Sequence, residues 1–219
     1  MAPPPLAAQL GTLAELLERM CVAVAAGMRD ATAALVDRWP RLAEQVIARD
    51  AEVDALRAEV EHVASEALLF HAPVAGDLRA VVAAIRSAGD LERMGDLAQH
   101  VAEAVRRRAP QPAVPAEVCD AFAEMGRLAV GLARKAGEVV RTRNVVLAAE
   151  LDGDDDEMDR LHRRMMSVLL HPSWPHGVPA AVDLALLARF YERFADHAVV
   201  VARETVYAVT GREPEELPL

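Results

Sequence analysis

The stretch Asp90-Leu91-Glu92-Arg93-Met94-Gly95-Asp96-Leu97-Ala98-Gln99-His100-Val101-Ala102-Glu103 returns further down the chain as Phe190-Tyr191-Glu192-Arg193-Phe194-Ala195-Asp196-His197-Ala198-Val199-Val200-Val201-Ala202-Arg203. In register, Glu92, Arg93, Asp96, Ala98, Val101 and Ala102 come back unchanged, while Leu91 and Met94 come back as the apolar Tyr191 and Phe194. Chance rarely keeps both identity and helical phase, so the chain carries an internal repeat. A second pair of segments agrees. Asp50-Ala51-Glu52-Val53-Asp54-Ala55-Leu56 precedes the first copy, Asp155-Asp156-Glu157-Met158-Asp159-Arg160-Leu161 precedes the second, and Val60/Met165 and Val63/Val168 extend the apolar positions. The order is the same both times, which divides the chain into two homologous halves, 1–110 and 111–219.

Outward from the repeat, the whole chain reads as all-α. Its 219 residues are 53% hydrophobic but only 4% aromatic, and they are rich in alanine, which favours helix-on-helix packing over a sheet. From Leu6 to about Arg38, Leu10, Leu13, Leu17, Met20, Val24, Met28, Ala31 and Leu35 recur at threes and fours, the spacing of one amphipathic helix. Trp39-Pro40 ends it, because proline disfavours the helical state of the residue before it. A second helix runs from Arg41 to about His71, and a turn at Pro73–Asp77 leads into a third that ends near Arg108. Arg106-Arg107-Arg108 suits the negative end of that helix's dipole.

The linker Ala109-Pro110-Gln111-Pro112-Ala113-Val114-Pro115 separates the halves, and the plan then repeats: about Ala116 to Arg141, Val145 to Leu170, and Val178 to Thr210. The prolines of His171–Pro179 exclude regular helix there. Gly211 stops the last helix, and Glu213 to Leu219 reads as a frayed tail. The expected shape is two three-helix bundles in tandem, side by side, built from six long helices.

A net charge of -10 and a pI near 5.2 exclude an electrostatic nucleic-acid binder, which needs a basic face. Cys21 and Cys119 fall inside helical patterns and read as small buried hydrophobes. The N-terminus lacks the basic and apolar regions of a secretory leader, and no later apolar run approaches spanning length. The expected compartment is the cytoplasm.

The repeated acids carry the chemistry. Asp50/Asp54, Glu92/Asp96, Asp155/Asp159 and Glu192/Asp196 each stand four apart, one helical turn, where like charges are destabilising by roughly 0.2–0.5 kcal/mol. Antiparallel neighbours bring the two pairs of each half together, and such oxygen clusters suit hard cations. His100 and His197 lie nearby on the same helices. The other reading is a solvated face answered by Arg49, Arg57, Arg86, Arg93, Arg160 and Arg193. A carboxylate-bridged di-iron oxidase is a rival, since Glu59-x-x-His62 has one of its spacings, but the repeat counterpart is Arg164 with Ser167. A helical adaptor that merely presents a surface is another.

Leu91-Glu92-Arg93-Met94-Gly95-Asp96 and Tyr191-Glu192-Arg193-Phe194-Ala195-Asp196-His197 resemble the twice-repeated signature of the PhoU family, supported by Asp50/Asp54, Asp155/Asp159 and Gly76-Asp77-Leu78-Arg79. The resemblance implies six helices in two PhoU-like repeats and no enzymatic activity. It further implies a negative regulator of the phosphate-starvation response that modulates phosphate uptake. Such a regulator acts between the ATPase of the phosphate ABC transporter and a membrane-bound sensor histidine kinase, reaching the membrane through these partners only, and a homodimer is expected. It also implies metal ligation by Asp50, Asp54, Glu92 and Asp96 in one half and Asp155, Asp159, Glu192 and Asp196 in the other, with Fe, Zn, Mn or Mg as candidates. The chain departs from the family pattern at Leu97, His100 and Val200, and Pro179 stands where a counterpart of Arg79 belongs.

Overall fold

Proline, glycine and local capping set the ends of the helices. A computed structural model describes residues 3–212, so the expected tail at Glu213 to Leu219 lies outside the described residues. Among them are six helices and no strand: α1 Leu6–Val36, α2 Pro40–His71, α3 Ala75–Arg108, α4 Ala116–Thr142, α5 Val145–Leu169 and α6 Gly177–Thr210. Asn144 caps α5 by accepting hydrogen bonds from the Val146 and Leu147 amides at 3.0 and 3.2 Å. Two boundaries differ from the sequence expectation for one reason. Pro40 and Pro179 both lie inside the first turn of a helix, α2 and α6, where a missing N–H costs nothing.

Each half folds as α1-α2-α3 or α4-α5-α6, and the two halves share one core. α1, α3, α6 and α4 form a central four-helix bundle, with α2 packed outside against α1 and α3 and α5 outside against α4 and α6. A single apolar cluster runs from Leu13 in α1 to Val206 in α6. Cys21 is buried within it, whereas Cys119, expected to be buried, is only half-buried, its Sγ 3.9 Å from the Val36 carbonyl. No helix among the described residues is long and apolar enough to cross a membrane.

The joints between the halves are antiparallel. Along α3 and α6, Asp90 meets His197 at 2.8 Å, Arg86 meets Glu204 at 3.3 Å and the His100 ring stacks on Phe190 at 5.2 Å. Where α1 crosses α4, Gly126 faces Thr32, whose hydroxyl donates to the Met28 carbonyl at 2.8 Å and lies 3.0 Å from the Tyr191 hydroxyl. A Cβ at residue 126 would fall 2.8 Å from the Thr32 Cβ and closer still to its hydroxyl and methyl. Gly126→Ala is therefore expected to destabilise by about 1–3 kcal/mol in urea unfolding. Gly131→Ala, on the same helix with nothing within 4 Å, is expected to be neutral or to stabilise by up to about 1 kcal/mol.

Candidate functional site

Helical phase puts Asp50 and Asp54 on the side of α2 that meets α3, beside Glu92 and Asp96. Gly95 makes room there, since a Cβ on it would sit 3.1 Å from the Asp50 Oδ1. Burial, then the charges of Asp54, Asp96 and Glu92, push the Asp50 carboxyl up to about 6, while His100 works in the opposite direction. The first expected quartet is thus brought together.

The second quartet converges in the same way between α5 and α6. Burial, then Asp196, Asp159, Asp152 and Asp156, push Asp155 up to about 6. Glu192, only 8% exposed, is pushed up to about 7 by burial and by Asp196, Asp159 and Asp155, against the opposing pull of Arg189. Asp54 and Asp196 are exposed, Glu192 is buried and the remaining members are half-buried, so each set lies at the edge of the core.

The cations that answer these acids differ between the halves. Arg57 bridges Glu61 at 3.0 Å and Glu92 at 3.3 Å, and Arg93 reaches Asp96 at 3.8 Å. The repeat counterpart of Arg57 in α5 is His162, held below its usual pKa first by burial and then by Arg189. In the second half Arg189 holds one oxygen of Glu192. Three arginines expected to serve the quartets are engaged elsewhere, Arg49 with Asp30 at 2.6 Å, Arg86 with Glu204 at 3.3 Å and Arg160 with Glu157.

Sequence reasoning passed over Arg189, Asp152 and Asp156 as members of this neighbourhood. Arg189 carried a usable signal, because it lies one helical turn before Glu192.

No group of three or more His, Cys, Asp or Glu side chains among the described residues is arranged to hold a metal ion as it stands. The donor chemistry nevertheless fits a hard or borderline cation: the donors are carboxylate oxygens, and Asp155 Oδ1 and Glu192 Oε2 are buried with no hydrogen-bond partner. Unpaired buried acceptors of this kind cost roughly 1–3 kcal/mol each. Glu59 and His62, the di-iron spacing, lie on the exposed face of α2, whereas ligands of a bundle-core di-iron site project inward.

The PhoU domain model matches residues 17–105 and again 122–205, once in each half. The chain belongs to the PhoU family. It is 50% identical over 206 residues to the phosphate-specific transport system accessory protein PhoU homolog 2 of Mycobacterium tuberculosis, covering 94% of this chain and 97% of that protein. It is also 50% identical over 208 residues to PhoU homolog 1 of Mycobacterium leprae, covering 95% and 94%. The fold matches crystal structures of PhoU from Streptococcus pneumoniae and Pseudomonas aeruginosa with TM-scores of 0.85 and 0.83. Identities there are 21% and 24%, with 98% and 95% of this chain covered and all of each crystal chain.

The raised carboxyls give a pH signature in metal-free protein. An acid whose folded pKa lies above its unfolded value holds its proton better when folded, so its contribution to stability falls as pH rises between the two values. For Asp155 and Glu192 that window runs from about 4 to about 7. Chelator-treated protein is expected to lose melting temperature across it relative to an Asp155→Asn, Glu192→Gln variant, and melts at stepped pH check this.

Proposed function

We propose that this PhoU protein is an accessory regulator of a phosphate-specific transport system. It restrains the phosphate-starvation response when phosphate is plentiful, acting as a cytoplasmic homodimer between the transporter's ATPase and a membrane-bound sensor histidine kinase. One observation carries this reading. Both repeats match the family model, and the chain aligns over nearly its full length with proteins named as accessory to phosphate-specific transport. It catalyses no reaction. Phosphate status enters through the transporter's conformation, and the helical body passes it on by binding two states of a partner unequally.

The acidic sets organise the surface that partners meet. In this reading Asp50, Asp54, Glu92 and Asp96, and Asp155, Asp159, Glu192 and Asp196, hold a divalent ion of the Fe, Zn, Mn or Mg class, which supplies the positive charge that lets each outer helix lie against its neighbour. A ligand at 100 times its Kd stabilises a fold by about 2.7 kcal/mol. Arg57 and Arg93 supply part of that charge in the first half, so the second half depends more on the ion.

The test is a phosphate-starvation reporter in phosphate-rich medium after deletion of this gene and any paralogue. High expression is expected, and expression that stays low overturns the reading. For the metal, Asp155→Asn with Glu192→Gln is expected to lower the metal content of purified protein and to raise the reporter in a deletion background. Unchanged metal content and full repression together would remove the metal from the account.

A further inference from the structure

Far from the acidic sets, at the end where α1 and α3 begin and α4 and α6 finish, lies a cavity of about 320 Å³. Leu10, Leu13 and Val209 line its apolar side, and Arg79, Arg143 and Ser87 its polar side. Arg79 belongs to Gly76-Asp77-Leu78-Arg79, the one element of the family signature that the second half does not repeat, since Pro179 stands in its place. A side chain present in one half only is not required by the duplicated packing.

The guanidinium of Arg79 is held by shape rather than by charge. A Cβ on Gly211 would meet its Cζ at 3.1 Å, Nη2 at 3.2 Å and Nε at 3.3 Å, so the flat face of the group is laid against the glycine that ends α6. Gly211 adopts φ +72, a left-handed conformation that glycine takes without strain. One face is thus covered, and Nε is buried with no acceptor.

Capping of α6 does not account for this, because the end of α6 is closed by the Gly211 amide donating to the Tyr207 carbonyl at 2.8 Å. Neither Arg79 nor Arg143 is neutralised by a carboxylate among the described residues. The first turn of α3 adds the positive end of a long helix, whose N-cap, Val74, offers no side-chain acceptor.

We propose that this cavity binds a small oxyanion of the phosphate type. The edge of the Arg79 guanidinium is its planar donor, and Arg143, the Ser87 hydroxyl and the start of α3 complete the positive surround. A planar, preoriented fork suits a tetrahedral oxyanion better than a flexible ammonium does. Asp77 also lines the cavity and opposes an anion, which fixes the sign of its substitution. This assignment goes beyond the regulatory reading: it gives the chain its own ligand, whichever partners it serves.

Isothermal titration calorimetry of the purified full chain with inorganic phosphate, at ionic strength held constant with chloride, tests it. Saturable binding is expected, with Arg79→Gln weakening it on the order of tenfold or more and Asp77→Asn tightening it. Arg143→Asn gives a second variant whose fold is safe, because Arg143 is exposed and already left-handed at φ 55, a conformation asparagine accepts. It too is expected to weaken binding. Sulfate binding alongside phosphate belongs to the expected result, since both are tetrahedral oxyanions. Absence of saturable binding by the unaltered chain overturns the proposal, as does binding that Arg79→Gln and Arg143→Asn leave unchanged. The reporter experiment above reads regulation independently of this result.

Discussion

The crossing of α1 over α4 fixes the rest of the molecule. In the register that pairs Asp50 with Asp155, Cys21 of α1 corresponds to Gly126 of α4 and Thr32 to Gly137. The structure places Gly126 against Thr32 and Gly137 against Cys21, where a Cβ would sit 3.0 Å from the Cys21 Cβ. The crossing is therefore met twice by the same rule, a side chain on α1 filling the space left by a glycine on α4. Only such close approach lets Thr32 reach Tyr191 across the boundary between the halves, and the contact gives the buried Tyr191 hydroxyl a partner. With α1 locked to α4, α3 and α6 are left to meet along their lengths, and the central bundle closes.

Once the centre is closed, the outer helices α2 and α5 have only one side to bury. Their inner edges carry the acids, so the cost of gathering four carboxylates falls where the fold is thinnest. The core tolerates this because its apolar cluster runs through the four central helices and does not rely on the outer two alone. Electrostatic strain is thus confined to the joints where an outer helix meets the centre. A cation such as Arg57 acts on the joint between an outer helix and the centre.

Helix existence and phase were legible because each long segment is periodic and, except where Asn144 caps α5 directly after α4, bounded by proline or glycine. The sharing of one core was less so. Periodicity assigns a stripe to α1 through Leu13, Leu17, Met20 and Val24, but Leu16 and Ala25 are buried as well. That wider face is the mark of a helix with three neighbours. The buried residues of α2, such as Val46, Val53, Leu56 and Val60, form a narrow stripe that fits a helix on the outside. Stripe width was the available signal, and it separates central from outer helices. The quartets were legible because the repeat supplied two independent copies of each spacing. Their cations were not: sequence places Arg49 beside Asp50, yet the side chain turns to Asp30 on α1, a choice made by rotamers and by a helix remote in sequence.

Duplication also explains where to look for what is particular to this chain. Positions that agree between the halves serve the shared frame, as Leu91 with Tyr191 and Met94 with Phe194 do, all four buried. Positions that disagree are free of that duty. Arg57 against His162 changes how an acidic set is neutralised, Gly95 against Ala195 changes the room beside one of its carboxylates, and Arg79 against Pro179 puts a cation at one end of the bundle only. A symmetric frame thus carries different side chains at its two ends.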